Sequence, residues 1–99
     1  METDTSQIVN ERMAHWHNQG VHGAAVYDAL ATDTALPVLL DPEDIEAISG
    51  DTPRALRARR SRGKPPAFIK GYKGTVRYPR FEYFQWLKAR FVPRGERDG

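Results

Sequence analysis

The chain has 99 residues and a mass of 11.2 kDa, the size of a single domain, with 39% hydrophobic and 28% charged residues. This length excludes barrel enzymes and two-domain dinucleotide-binding enzymes, and the lack of cysteine excludes disulfides and thiolate zinc sites. The net charge of +2 conceals a strong asymmetry, because residues 1–53 hold ten acidic and one basic side chain, whereas residues 54–99 hold fourteen basic and three acidic ones. Such a basic half favours a polyanionic partner, and nucleic acid is the first to consider.

The first third of the chain predicts two helices. Apolar residues recur at helical spacing from Ile8 to Trp16, and a second helical pattern runs from Val21 to Leu30. We therefore expect residues 1–35 to form an acidic, helical N-terminal extension. Three interpretations stay open: the extension enlarges a small core by covering Phe81 and Phe84, forms an arm for dimerisation or integrase contact, or folds over the basic half as an autoinhibitor.

A pair of short helices follows, with a tight turn between them. Asp41 and Pro42 are typical of a helix start, and Gly50 is typical of a helix end. Thr52 and Pro53 then predict a second start, followed by the arginine-rich stretch RALRARRSRG. Two short helices separated by a glycine turn predict a helix-turn-helix.

The remainder predicts a hairpin and a closing helix. Residues 67–70 and 75–78 have strand-like composition on either side of a Gly-Tyr-Lys-Gly tip, and helical spacing returns after Pro79. We assign residues 36–92 to one DNA-binding domain and residues 93–99 to a disordered tail. The predicted fold is mainly α with a small β-hairpin: a winged helix-turn-helix preceded by the N-terminal helical extension.

From Leu39 to Arg90 the chain resembles the small MerR-like winged helix-turn-helix proteins of phages and integrated elements, namely the excisionases (recombination directionality factors) and the AlpA-type regulators. The resemblance is carried by the helix ending at Gly50, the arginine-rich helix ending at Gly63, the two strands and the Trp86-Leu87 helix. The chain departs from the family at Arg59, where members often carry a bulky apolar residue, and at Phe81 and Phe84, which are usually charged or polar.

The resemblance implies sequence-specific binding to double-stranded DNA, with the second helix in the major groove and the wing on the backbone or minor groove. It implies that an excisionase binds and bends DNA, several copies side by side, to direct an integrase towards excision; an AlpA-like transcription regulator is the alternative. Carried over position by position, it implicates as DNA-binding residues Thr52, Arg54, Arg57, Ala58, Arg60, Arg62, Lys70, Lys73 and Arg77.

No other sequence pattern predicts a metal site or a catalytic site. His15, His17 and His22 do not share a helix face, so we expect no metal site, and the sequence holds no nucleophile-elbow or phosphate-loop motif. We therefore expect neither catalysis nor a cofactor. The aromatic residues after Pro79 fit a core better than a single-strand stacking platform.

The sequence also bears on where the protein is located and on which class of partner it binds. No apolar run approaches the roughly 20 residues of a membrane span, and the N-terminus lacks a secretory pattern, so we expect no membrane contact and a cytoplasmic protein. The resemblance to the MerR-like proteins implies a bacterial or phage setting. A protein-binding alternative also stays open. In it, the acidic half would serve a phage-encoded inhibitor or antitoxin-like module.

Overall fold

The computed structural model describes residues 5–91, and within them the chain forms five α-helices and one small antiparallel sheet. In chain order the elements are α1 (Thr5–Asn18), α2 (Ala24–Ala31), β1 (Leu39–Leu40), α3 (Pro42–Ser49), α4 (Pro53–Ser61), β2 (Ile69–Lys70), a 3₁₀ turn (Tyr72–Gly74), β3 (Val76–Pro79) and α5 (Arg80–Arg90). The predicted mainly helical character is confirmed. The predicted disordered tail, residues 93–99, lies outside the described residues.

The bounds of α3 and α4 follow from local capping. The Asp44 carboxylate accepts a 2.9 Å hydrogen bond from the backbone N–H of Asp41, which satisfies a free donor at the start of α3. Gly50 ends that helix with φ of 83°, a left-handed conformation that favours glycine. The Thr52 hydroxyl then accepts a 3.1 Å hydrogen bond from the Ala55 N–H and starts α4.

The sheet has three strands in the order β1-β3-β2, so the prediction of a two-stranded hairpin is incomplete. The extra strand comes from the apolar segment before α3, where Leu39 pairs with Pro79 and Leu40 with Tyr78. Leu40 is fully buried, so the strand is held both by pairing and by its side chain. A sheet with this third strand ties the hairpin to the helices.

One core joins the N-terminal helices to the rest of the chain. Its buried members come from all five helices and from the sheet, and they include Val9, Val26, Leu30, Ile45, Leu56, Tyr78 and Phe84. The first helix begins at Thr5 rather than near Ile8. The expectation that the extension covers both phenylalanines is right for Phe84, which is fully buried, and wrong for Phe81, which is 50% exposed.

Polar contacts fix the segment between α2 and β1. The Arg80 side chain donates from Nε to the Ala31 carbonyl at 3.0 Å and from Nη1 to the Leu36 carbonyl at 2.8 Å. The buried Asp33 carboxylate accepts from Arg12 Nε at 2.6 Å and from Trp16 Nε1 at 2.9 Å. The segment is thereby attached to both α1 and α5.

Candidate nucleic-acid interface

The exposed face of α4 is basic. At about 100° per residue, Arg54 and Ala58 lie on the side of the helix opposite the buried Leu56 and Arg57 lies on its flank, and all three are exposed. The small side chain of Ala58 sits beside the two arginines and allows close approach of another surface. The exposed surface of the helix therefore presents two guanidinium groups beside a small side chain.

A groove of about 540 Å³ separates α4 from the hairpin. Its lining residues are Arg57, Arg60, Ser61, Phe68, Lys70, Gly74 and Val76. Three of the predicted DNA-binding residues thus meet in one place, around the exposed ring of Phe68. Among the described residues no acidic side chain lines this groove, so its potential is positive.

Arg60 connects the two walls of the groove. Its Nη1 donates a 2.6 Å hydrogen bond to the hydroxyl of Tyr78, whose side chain is fully buried in the core. Its Cζ also lies 5.6 Å from the centroid of the Phe68 ring. Both contacts orient the guanidinium and hold α4 at a fixed separation from the hairpin.

Arg59 faces away from the groove. Its Cζ lies 5.2 Å from the centroid of the Trp86 ring, and Arg90 Cζ lies 4.3 Å from the same centroid. Arg59 Nη1 also donates to the Pro65 carbonyl at 3.3 Å. The planar guanidinium of Arg59 therefore packs on the indole and not in the groove.

The three basic residues of the hairpin are divided by strand alternation. Lys70 pairs with Val76 across the ladder, and both side chains line the groove. Arg77 is next to Val76 in β3 and lies on the other face of the sheet, where its Nε is 2.8 Å from Asp41 Oδ1. Lys73 is at the tip, outside both faces.

The remaining predicted residues lie at the ends of α4. Thr52 is exposed and its hydroxyl caps the helix, so its described role is in the fold. Arg62 is the C-cap residue and is exposed outside the groove lining. The predicted set is therefore gathered only in part: Arg57, Arg60 and Lys70 share the groove, while Arg54 and Ala58 continue it along α4.

Two aromatic residues near the groove were not among the predicted site residues. Phe68 lies in the groove wall, and Tyr72 lies at the hairpin tip with 83% of its side chain exposed. The signal for both was present in the sequence as large rings inside a short basic hairpin. Phe68 is 40% exposed and its ring lies 6.5 Å from that of the buried Tyr78, so Tyr72 is the ring of the two that has no packing role in the core.

Several of the acidic side chains of the first half are paired away from the groove. Four of them form ion pairs, namely Asp28 with Lys88 at 2.8 Å, Asp33 with Arg12 at 2.6 Å, Asp41 with Arg77 at 2.8 Å and Asp51 with Arg90 at 3.3 Å. The hydrogen bond from Lys88 lowers the pKa of Asp28. Within residues 5–91, no such pair involves Arg54, Arg57 or Lys70, so their charges are available to a partner.

The histidines contribute ring contacts. His17 and His22 stack at 5.2 Å between ring centroids, and His15 lies edge-on to Trp16 at 4.9 Å. In the part of the chain that the structure describes, no group of three His, Cys, Asp or Glu side chains could hold a metal ion. Nor does any helix between residues 5 and 91 have both the length and the apolar character needed to cross a bilayer.

Comparison of the chain with protein-family models, curated protein sequences and solved structures found no match. The resemblance to the MerR-like family therefore stays a prediction. The geometry of α4 and the hairpin is the feature that bears on function, and above all the groove that Arg57, Arg60 and Lys70 line.

Proposed function

We propose that this protein binds double-stranded DNA sequence-specifically, with α4 in the major groove and the β2–β3 hairpin against the adjoining backbone. The observation that carries the proposal is the basic groove between α4 and the hairpin, which continues along α4 onto Arg54; neither Arg54 nor Arg57 forms an ion pair with another described residue. Arginine is the side chain best suited to reading guanine edges, and it also binds phosphates. An exposed α4 of nine residues is long enough to present such groups in a groove.

Each basic residue then has a distinct role. Arg54 and Arg57, near the N-terminal end of α4, are the base-reading candidates, and Ala58 allows the helix to approach the base edges. Lys70 and Lys73 contact phosphates from the hairpin. Arg60 positions the hairpin through Tyr78 and adds charge to the groove wall.

The finer proposal is an excisionase of a phage or mobile element, acting in the bacterial cytoplasm without catalysing a reaction. In this role several copies would occupy repeated sites, bend the DNA and help an integrase to excise. The AlpA-like alternative is repression or activation of a promoter without an integrase. An excision assay with the integrase encoded beside the gene separates them, since only an excisionase changes the yield of excised product.

The protein-binding alternative is less well supported. An acidic surface that mimics nucleic acid needs unpaired carboxylates; within residues 5–91 the exposed Glu11, Glu43 and Glu46 form no ion pair, whereas Asp28, Asp33, Asp41 and Asp51 are each within ion-pair distance of a basic side chain of the same chain. Their negative charge is therefore used within the fold.

The experiment is a titration of DNA at several salt concentrations, with fragments from the protein's own gene neighbourhood and a scrambled duplex. We expect a steep salt dependence and a preference of roughly a thousandfold or more for one fragment. The variants Arg54→Ala and Arg57→Ala should each lose about 1–3 kcal/mol of binding free energy. Lys88→Gln is the matched control, because it removes a positive charge on α5 that is already paired with Asp28. This variant should bind DNA as the wild type does. Equal, weak binding to both duplexes would overturn the proposal.

A further inference from the structure

The tip of the hairpin presents an aromatic ring to solvent. Tyr72 is the most exposed large apolar side chain within the described range, with 83% of its surface accessible. Its ring packs against no core residue, so burial does not explain why a large apolar group occupies this position. A ring held out in this way is available to stack on another flat surface.

The backbone around Tyr72 is held firmly. The Tyr72 carbonyl accepts hydrogen bonds from the Thr75 N–H at 3.2 Å and from the Thr75 hydroxyl at 2.9 Å. The Gly71 N–H donates to the Thr75 carbonyl at 2.7 Å, which closes the turn. Lys73 has φ of 55°, a left-handed conformation that a non-glycine residue adopts only where the surroundings impose it. The tip is therefore a preorganised support for the ring.

A cation accompanies the ring. Lys73 Nζ lies 5.5 Å from the centroid of the Tyr72 ring, so the tip combines an aromatic surface with a positive charge. Duplex DNA offers the complementary pair of surfaces, namely base-pair faces inside a groove and phosphates along its edges. An ammonium group beside the ring can bind a phosphate while the ring reaches between the strands.

From these observations, and resting on the proposed function, we infer that Tyr72 is a wedge that inserts between base pairs at the minor groove and kinks the bound duplex. The fixed link between Arg60 and Tyr78 sets the hairpin beside α4, so that α4 and the tip would engage adjacent grooves. Unstacking one base step has an energetic cost, and flexible pyrimidine–purine steps lower it. The wedge therefore adds both bending and a preference for such a step where the tip lies.

The test uses the full chain and a duplex selected by the wild type from a random-sequence pool. 2-Aminopurine placed at successive positions reports unstacking by its fluorescence, and end-to-end energy transfer reports the bend. We expect an unstacked position with wild type and Tyr72→Phe, and its loss with Tyr72→Ala, together with a smaller bend and an affinity lower by roughly tenfold. Lys73→Ala is the matched control: it should keep the unstacked position and reduce the salt slope by about 1.

The outcomes separate the wedge from the proposed function. If wild type selects a duplex and Tyr72→Ala bends and unstacks it equally, the wedge is overturned while DNA binding stands. If wild type selects no duplex, both are overturned. Since Tyr72 is exposed, circular dichroism and urea unfolding of Tyr72→Ala should match the wild type, which shows that a lost signal reflects the missing ring.

Discussion

Arg60 Nη1 donates a 2.6 Å hydrogen bond to the Tyr78 hydroxyl, and this bond joins the basic helix α4 to β3, the middle strand of the sheet. Tyr78 is fully buried and pairs with Leu40 of β1, so the same residue also belongs to the core. The bond to this buried residue therefore fixes how far α4 lies from the hairpin.

Tyr78→Phe should therefore weaken both stability and DNA binding. The substitution keeps the ring in the core but removes the acceptor of the Arg60 hydrogen bond. We expect a loss of about 0.5–1.5 kcal/mol in the free energy of unfolding, measured by urea titration. DNA affinity should also fall, since Arg60 is no longer held at the groove wall.

Tyr83→Phe provides the comparison for that variant. Tyr83 is also fully buried, and among the described residues its hydroxyl makes no hydrogen bond of good geometry; burial raises its pKa to about 12, although the nearby Ser49 hydroxyl opposes part of that rise. Removing a buried hydroxyl without a partner should leave stability equal or higher. An equal loss of stability in Tyr78→Phe and Tyr83→Phe would show that the Arg60 hydrogen bond contributes nothing.

Arg57 and Arg59 should differ in what their removal changes. Arg57 is exposed and lines the groove, so Arg57→Ala should lower DNA affinity by about 1–3 kcal/mol and leave stability unchanged. Arg59 packs on Trp86, so Arg59→Ala should lower stability by about 0.5–1 kcal/mol and alter affinity less. Titration of the selected duplex and urea unfolding of each variant measure the two effects. The reverse pattern would mean that the faces of α4 are assigned wrongly.

The two short helices α3 and α4 could be predicted because their signals are local. Asp41, Pro42 and Gly50 for α3, and Thr52 and Pro53 for α4, act within one turn of the helix they begin or end, so the sequence pattern matched the structure there. The bounds of α3 and α4 needed no knowledge of the rest of the chain.

The third strand and the roles of the arginines could not be predicted in the same way. β1 forms because Leu39 and Leu40 pair with a strand distant in sequence, and composition does not show such pairing. Periodicity placed Arg57, Arg59 and Arg60 on one basic helix. Which of them packs on Trp86 and which bonds Tyr78 depends on tertiary neighbours.

Deletion of residues 1–35 should unfold the protein rather than release a DNA-binding domain. The deletion removes Leu30 from the core, uncovers Phe84 and takes away the Ala31 carbonyl that Arg80 binds. We expect no cooperative urea transition and no selective DNA binding. Leu30→Ala is the milder form of the same change and should cost about 2–5 kcal/mol. A truncated chain that unfolds cooperatively and binds DNA more tightly would instead support an autoinhibitory arm.

Asp33 should make stability depend on acid pH. Burial alone would raise the pKa of this carboxyl, but hydrogen bonds from Arg12, the Ala35 N–H and Trp16 outweigh it and lower the pKa below its usual 3.8. A carboxyl with a lowered folded-state pKa stabilises the fold above its unfolded-state value, and that stability is lost as the pH falls through the folded-state value. The urea midpoint should therefore drop as the pH falls from about 5 towards 2.

Asp33→Asn tests whether Asp33 causes the loss of stability at acid pH. The variant cannot ionise, so it should unfold more readily at neutral pH, by about 1–3 kcal/mol, and its midpoint should vary less with pH than that of the wild type. Asp28→Asn is the control: the Asp28 side chain is about half exposed and paired with Lys88, so its loss should change the neutral-pH midpoint far less. The buried Asp33 differs from it because only 4% of its side chain is accessible and three donors converge on it. If Asp33→Asn kept the full loss of stability at acid pH, the pH dependence would have to arise from other carboxylates, and the link between α1 and the segment before β1 would be weaker than its geometry indicates.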